Sequence, residues 1–337
     1  MSDTPLTPTF SADQKMRGGA NSNLARILRA GQFAVCAEVS PPVGPNIEAI
    51  EREMKTLRGF ADAFNVTDNQ SAMVHTSSLA VSIMLQQAGM QPVVQVTCRD
   101  RNRLGIQGDL LGASVFGICN VLALSGDHPI WGDHPQCKSV YDLDSVNLIR
   151  IIRMMRDDQV FENGKKIPKK APDFFIGAVE NPFAPPYEYR PMRLAKKIVA
   201  GAQFIQTQLI YNIDRFAEFM KRVVDLGLHE KVYILAGVGP VRSQKVAQYM
   251  KDEVAGMDVP DWVLKRLEGL SKEDQAKAGI DICCEVADKV RQIEGVHGLH
   301  IMAVSWPAAV PEVVRNLGLY PRPDSPAPET VEAAVPA

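Results

Sequence analysis

The stretch Asn120-Val121-Leu122-Ala123-Leu124-Ser125-Gly126-Asp127 has the pattern of a buried β-strand that ends in a small residue, a glycine and a carboxylate. Glycine at a strand end lets a ligand approach the backbone closely. In parallel α/β folds, binding sites form at the carboxyl ends of the strands. A Gly-Asp pair also makes an ordinary turn. This stretch therefore indicates an architecture more strongly than it indicates a function.

Similar apolar, β-branched runs recur along the chain, and a segment with helical periodicity follows most of them. The predicted strands are 33–39, 61–66, 92–97, 120–124, 174–179, 204–207, 232–236 and 298–304. The helices that follow them are predicted at 46–57, 77–88, 101–116, 143–156, 191–200, 214–226, 243–251 and 308–317, and Asp214 is the predicted N-cap of the sixth. Eight such units favour a closed parallel (β/α)8 TIM barrel over an open sheet. Two extra helices, 261–267 and 272–293, precede the last strand.

The composition is that of an ordinary globular protein, with 46% hydrophobic and 23% charged residues in 337. A net charge of -2 gives no bulk attraction to nucleic acid or to an anionic membrane. We see neither an apolar run long enough to cross a bilayer nor a secretion signal, so we expect a cytoplasmic protein. We predict a disordered tail over 1–22, one catalytic domain over 23–320 and a second disordered tail over 321–337.

The cysteines and histidines do not form a recognisable metal site. None of the six cysteines belongs to a CxxC pair, which favours reduced, mostly buried thiols. His128 and His134 lie near Asp127 and Asp133, but no complete ligand set is present. We therefore predict that the protein binds no metal.

Glu38 is the sharpest functional candidate, because it lies inside the apolar strand 33–39. A carboxylate there costs free energy unless it is paired or protonated. Desolvation raises the pKa of a Glu toward neutrality, which suits a general acid. A salt bridge to an Arg or Lys inside the barrel is the alternative, and the sequence leaves both open.

Other polar residues fall at the ends of the predicted strands, where a barrel would gather them. They are Thr67, Asp68, Asn69, Gln95, Thr97, Ser125, Gly126, Asp127, Glu180, Asn181, Gln208, Ser305 and Trp306. The amide of Gln208 could bond a heterocycle or simply satisfy loop backbone. Arg193, Lys196 and Lys197 on the helix after the fifth strand could reach phosphates or form a solvated face.

Taken together, these segments resemble the methylenetetrahydrofolate reductase family over roughly residues 33–319. The resemblance rests on the order and spacing of several motifs rather than on any one of them. The motifs are Ala37-Glu38-Val39-Ser40-Pro41-Pro42, Asn65-Val66-Thr67, Val96-Thr97-Cys98-Arg99-Asp100, Val121 to Asp127, Ala200 to Gln208, and Gly237-Val238-Gly239-Pro240.

The resemblance implies a flavin in the barrel mouth, with FAD favoured over FMN, and a tetrahydrofolate substrate. A hydride would pass between flavin N5 and the one-carbon unit, interconverting the 5,10-methylene and 5-methyl forms. Glu38 matches the family's general acid. Asp127 matches a catalytic acid beside the flavin and the pterin, which would lie on the pocket floor and face Glu38. Gln208 matches a residue that contacts folate. Met250 and Trp306 match further substrate-binding positions. The flavin-contacting positions are Thr67, Gln95, Ser125, Gly126, Asp127, Tyr141, Asp142, Asn181, Lys196 and Lys197.

The chain also departs from the family pattern. Many members have Arg where this chain has Ser125 and His where it has Gln95, and Met302-Ala303-Val304-Ser305-Trp306 replaces a Tyr-Thr-x-Asn-Arg pattern. These departures favour a protein electron partner in place of NADH and suit a reaction that runs toward oxidation of the methyl form. A flavin-holding electron-transfer subunit of a larger one-carbon complex, inactive alone, is the alternative. A pterin-binding methyltransferase without flavin is a third hypothesis, and a homo-oligomer is left open.

Overall fold

A computed structural model describes residues 13–323, and their eight parallel strands close into a barrel in chain order. The strands are β1 Ala34–Val39, β2 Ala63–Val66, β3 Pro92–Thr97, β4 Asn120–Leu124, β5 Phe175–Glu180, β6 Phe204–Leu209, β7 Tyr233–Val238 and β8 Val296–Ile301. β1 pairs with both β2 and β8, which completes the circle. The predicted TIM-barrel fold is confirmed, with β3 and β4 at their predicted bounds.

The helices pack around this barrel, α1 at its amino-terminal end and the others along its outside. They are α1 Asn23–Arg29, α2 Ile47–Leu57, α3 Ser78–Gln87, α4 Arg103–Val115, α5 Ser145–Arg153, α6 Arg190–Ala200, α7 Ile213–Asp225, α8 Gln244–Glu253, α9 Asp261–Leu267, α10 Lys272–Val290 and α11 Ala309–Asn316. The N-cap of α7 was predicted wrongly: the Asn212 side chain accepts from the backbone N–H of Arg215, and Asp214 lies in the first turn. Both residues are good caps, and the sequence pattern did not separate them.

The barrel interior is filled by the inward-facing residues of alternate strands. Phe175 of β5 and Phe204 of β6 stack with their ring centroids 5.0 Å apart. Small residues on β1, among them Ala34 and Cys36, belong to the same buried cluster and leave room for these rings. Helix α1 adds Leu24 and other apolar residues to this cluster. It therefore closes the amino-terminal end of the barrel, and the opposite end is left for a site.

This packing requires a glycine at position 177 of β5, because a Cβ built on Gly177 would lie 2.2 Å from Cζ of Phe204. We expect Gly177→Ala to lower the free energy of unfolding by about 1–3 kcal/mol, the usual cost of overpacking a core. Gly108 of α4 is the matched control, since a Cβ there meets nothing within 4 Å. Gly108→Ala should be neutral or stabilising. Urea unfolding of both variants checks this, and equal midpoints would contradict the packing argument.

Parts of the two predicted tails belong to the folded unit, so the predicted boundaries at 22 and 321 need correction. Gln14 is buried, and its Nε2 donates to the carbonyl oxygens of Ile198 (2.6 Å) and Ala202 (2.8 Å). Arg322 is also buried and pairs with Asp62. The remaining tail residues, 1–12 and 324–337, lie outside the described residues. Across 13–323, no helix is both long and apolar enough to pass through a membrane.

Candidate active site at the barrel mouth

A cavity of about 510 Å³ opens at the carboxyl ends of the strands. Because the strands are parallel, their last residues and the loops after them meet on this face. The cavity gathers a large part of the predicted site residues into one wall. Those that line it are Glu38, Thr67, Gln95, Ser125, Gly126, Asp127, Asn181, Lys197 and Gln208.

Glu38 lies deep in this cavity, and its side chain is 19% exposed. Alternation along β1 turns it inward, two residues after the buried Cys36. Burial, together with the smaller effect of the nearby Glu53 carboxylate on α2, raises the pKa of Glu38 to about 7. No Arg or Lys pairs with Glu38 among the described residues. The salt-bridge alternative therefore does not hold, and the group is a neutral or half-ionised acid near pH 7.

Asp127 was predicted on the pocket floor, but it lies at the exposed rim of the cavity. β4 ends at Leu124, so Asp127 belongs to the loop above the strand. Its backbone oxygen accepts from Nη1 of Arg99 at 3.1 Å. The strand itself was predicted to end at Leu124, as it does, but Asp127 was placed on the floor although it lies three residues further on, in the loop.

Gly126 brings backbone to the cavity wall. Its φ of +85° lies in the region that favours glycine, and a Cβ there would come within 3.2 Å of Thr97 and Arg99. Tyr141 donates its hydroxyl to the carbonyl oxygen of Gly126 at 3.3 Å. This loop therefore has a fixed shape into which a flat ligand could fit closely.

Three neutral polar side chains offer hydrogen-bonding groups to the cavity. Gln95 and Ser125 make no side-chain hydrogen bond within residues 13–323. Oε1 of Gln208 accepts from the backbone N–H of Leu209 at 2.9 Å, which leaves its amide nitrogen available. Asn181 differs, because it bonds Gly256 and Phe183 and thereby holds two loops together.

The cations at the cavity are not equivalent. Nζ of Lys197 lies 2.8 Å from Oε2 of Glu180, and both side chains are almost fully buried. Burial lowers the pKa of Lys197, while Glu180 opposes that effect. Arg193 also lines the cavity but makes no hydrogen bond or ion pair with any described residue. Arg193 therefore has its whole guanidinium available for an anionic ligand, whereas Arg190, which also lines the cavity, donates to the carbonyl oxygens of Ala184 and Pro185.

The structure does not bring five of the predicted residues to the cavity wall. Tyr141 reaches it only through Gly126, and Asp142 pairs with Arg103 on the outside (2.8 Å). Lys196 donates to the Tyr189 hydroxyl at 2.8 Å. The remaining two positions, which were carried over from the resemblance, also lie elsewhere. Met250 is buried in the core beside Tyr211. The guanidinium of Arg242 lies over the ring of Trp306, 5.8 Å from the ring centroid.

His300 of β8 is a cavity residue that the sequence prediction missed. Its Nε2 lies 3.7 Å from Oε1 of Glu38, and its side chain is 4% exposed. Burial lowers the pKa of His300 to about 3, so the imidazole is neutral. A signal was present, because period-two alternation places residues 298, 300 and 302 on one face of the last strand.

The histidines considered for a metal take other roles. His128 accepts from the backbone N–H of Ile130 at 3.2 Å, and His134 bonds Asp133 at 2.8 Å. No group of three or more His, Cys, Asp or Glu side chains within 13–323 is arranged to hold a metal ion.

Comparison with known proteins adds a family to this geometry. The sequence model of the family described as methylenetetrahydrofolate reductase matches residues 23–318. The chain is 24% identical to "5,10-methylenetetrahydrofolate reductase" of Salmonella typhimurium, covering 93% of this chain and 98% of that one. It is 24% identical to "Probable methylenetetrahydrofolate reductase (NADPH)" of Caenorhabditis elegans, covering 75% of this chain. The chain spans only 36% of the length of that relative.

A solved structure shares the fold. It is described as an uncharacterized protein from Clostridium thermocellum that binds two copies of 5-methyl-5,6,7,8-tetrahydrofolic acid. The two structures superpose with a TM-score of 0.61 at 14% identity, over 88% of this chain and 99% of that one. The closed barrel and a family match over almost the whole described structure agree. The chain belongs to the methylenetetrahydrofolate reductase family.

Proposed function

We propose that this chain is a flavin-dependent methylenetetrahydrofolate reductase that interconverts 5,10-methylenetetrahydrofolate and 5-methyltetrahydrofolate. The observation that carries the proposal is Glu38, a buried acid with a pKa of about 7 on the floor of the cavity. A group of this kind can hold a proton at neutral pH and release it to a substrate nitrogen. The family match and the relatives' names supply the substrate class.

The cavity also fits a flavin, on which the family depends. Its wall combines apolar side chains, Leu122, Leu124 and Val179, with the free polar groups of Gln95 and Ser125. A flat ring with a polar edge needs this combination. Gly126 allows close approach of the backbone, and Arg193 is a cation for a phosphate group. FAD in preference to FMN remains part of the proposal.

A bound flavin would supply a hydride donor and acceptor. The chain's own residues supply the proton chemistry: Glu38 donates a proton to N10 of the methylene substrate, the C–N10 bond breaks, and an N5 iminium remains to accept the hydride. In the opposite direction the Glu38 carboxylate takes that proton back. Gln208 offers an amide N–H to the pterin, and Asp127 at the rim is left to orient substrate rather than to act beside Glu38.

We also propose that the electrons are exchanged with a protein partner rather than with NADH. The support is in the sequence after β8, where Met302 to Trp306 replace the family's usual polar pattern. Met302 lines the cavity and brings a thioether where a polar group is typical. Physiological oxidation of the methyl form is consistent with this arrangement.

Absorption spectroscopy of the purified protein tests the proposal. A flavin band is expected, and anaerobic addition of 5-methyltetrahydrofolate should bleach it. A colourless protein would overturn the flavin reading in favour of a pterin-binding methyltransferase. Unbleached flavin would instead favour the inactive electron-transfer subunit. NADH added to the same sample should bleach it slowly or not at all, and rapid bleaching would refute the proposed partner.

Arg193→Gln is expected to weaken flavin binding by about 10- to 100-fold, because it removes the free cation from the cavity wall. Lys196→Gln is the matched control: it removes a charge three residues along the same helix, but that charge bonds Tyr189 outside the cavity. Fluorescence titration of the apoprotein with FAD measures both. Equal losses would mean that the helix contributes only a general positive field.

A further inference from the structure

The pair formed by His300 and Glu38 contains an unexplained feature. His300 is buried, yet neither of its ring nitrogens has a hydrogen-bond partner among the described residues. Buried polar atoms in native proteins are almost always partnered. The Glu38 carboxyl likewise has no hydrogen-bond partner within residues 13–323, and its Oε1 lies 3.7 Å from His300 Nε2. That separation is longer than a direct hydrogen bond, so a small movement or a bridging water would complete it.

We propose that His300 is a positioning residue for Glu38, and that its Nε2–H donates to the Glu38 carboxylate once that acid has given up its proton. The inference rests on the proposed function. Proton transfer from Glu38 leaves a negative charge in a buried site, which is costly unless a donor meets it. Of the Arg, Lys and His side chains in the described residues, His300 is the one with a nitrogen within 4.0 Å of the Glu38 carboxyl.

The surroundings of the pair support this direction of the hydrogen bond. Burial holds His300 in its neutral form, so it carries one ring N–H and is not itself an acid. Its neighbours in register are Cys36 on β1 and Gly237 on β7, and burial raises the pKa of the Cys36 thiol, which stays protonated. The residue next to Glu38 in register on β2 is the neutral Asn65. The ionisable group that acts on Glu38 is the carboxyl of Glu53 on α2. No Arg or Lys nitrogen within residues 13–323 lies within 4.0 Å of the Glu38 carboxyl, so none competes with His300 for the charge.

Two substitutions separate a hydrogen-bonding role from a packing role. His300→Leu keeps an apolar side chain of similar bulk but removes the donor. His300→Gln keeps an N–H near the position of Nε2. If the imidazole stabilises the carboxylate, the leucine variant should raise the pKa of Glu38 by about one to two units, the effect of losing a hydrogen bond to a charged group. The glutamine variant should restore most of the shift.

Infrared difference spectroscopy across a pH titration reads the Glu38 carboxyl directly, and the same titration of Glu38→Gln identifies its band. The expected result is a higher titration midpoint in His300→Leu and a midpoint near that of the parent in His300→Gln. An unchanged or lowered midpoint in the leucine variant would overturn the inference, even if the protein turns over folate. If the leucine variant has a raised midpoint but the parent protein has no folate activity, the hydrogen bond between His300 and Glu38 is supported and the proposed function is refuted. Far-UV circular dichroism confirms that each variant is folded.

Discussion

Replacing Glu38 with Gln is expected to slow reduction of 5,10-methylenetetrahydrofolate by about 10²–10⁴-fold, the usual contribution of a general acid. The amide has nearly the same shape and can still donate a hydrogen bond, but it cannot give up a proton. Because the side chain lies in a cavity wall and pairs with no Arg or Lys among residues 13–323, its loss should leave the fold intact. Single-turnover kinetics with reduced flavin measures the effect apart from electron supply.

The pH dependence of the parent has a definite sign. With a pKa of about 7, Glu38 is protonated below that pH and ionised above it. Protonation of the methylene substrate should therefore be fast in mild acid and slow as the pH rises through about 7. Oxidation of 5-methyltetrahydrofolate needs the carboxylate and should show the opposite trend. Glu38→Gln should abolish both trends.

Glu53→Gln is the matched control, because it removes the carboxyl group next to Glu38 but leaves Glu38 itself in place. Loss of the neighbouring negative charge should lower the pKa of Glu38, so turnover survives and its pH profile moves to lower pH. A Glu38→Gln variant that keeps the parental rate would show that another group protonates the folate.

Replacing Arg322 with Met is expected to cost about 3–5 kcal/mol of the free energy of unfolding, as when one partner of a buried ion pair is removed. Arg322 donates to both carboxylate oxygens of Asp62, at 3.0 and 2.7 Å, and the Asp62 side chain has no exposed surface. Nη2 of Arg322 also donates to the carbonyl oxygen of Phe33 at 2.7 Å. Without the guanidinium, Asp62 would remain as a charge in the core.

Thermal and urea unfolding measure this loss. Lys277→Gln is the control, since it breaks an exposed pair with Glu273 on α10 that should contribute less than about 1 kcal/mol. The double variant Asp62→Asn, Arg322→Met should recover part of the stability, because no charge is then buried alone. An Arg322→Met protein as stable as Lys277→Gln would contradict the burial of the pair.

The barrel was predictable because its signal is local and repeated. β-Branched apolar runs such as Asn120–Leu124 alternate with amphipathic helices, and each unit supports the same architecture. The strand ends then supplied most of the cavity wall, since parallel strands deliver their last residues to one face. Glu38 was recognisable because a carboxylate inside an apolar strand requires an explanation.

The remaining errors concern relations between distant segments. The burial of Arg322 depends on Asp62, 260 residues earlier in the chain, and no local pattern joins them. The pairing of Lys197 with Glu180 likewise links a helix to a strand end and leaves Arg193 as the free cation. Met250 was placed in the site by its position in a motif, although its helix turns that side chain into the core. Matching positions does not fix which way a side chain faces.

The two ends of the described chain meet the barrel on the side away from the cavity. Gln14 bonds Ala202, just before β6, and Arg322 bonds Asp62, just before β2. Both contacts lie at the amino-terminal ends of strands, whereas the cavity opens at the carboxyl ends. An anchor joined near residue 13 or residue 323 would therefore hold the protein with its mouth turned outward. Attachment to an electrode or a resin should leave the cavity open to the proposed folate substrate and to the proposed protein partner.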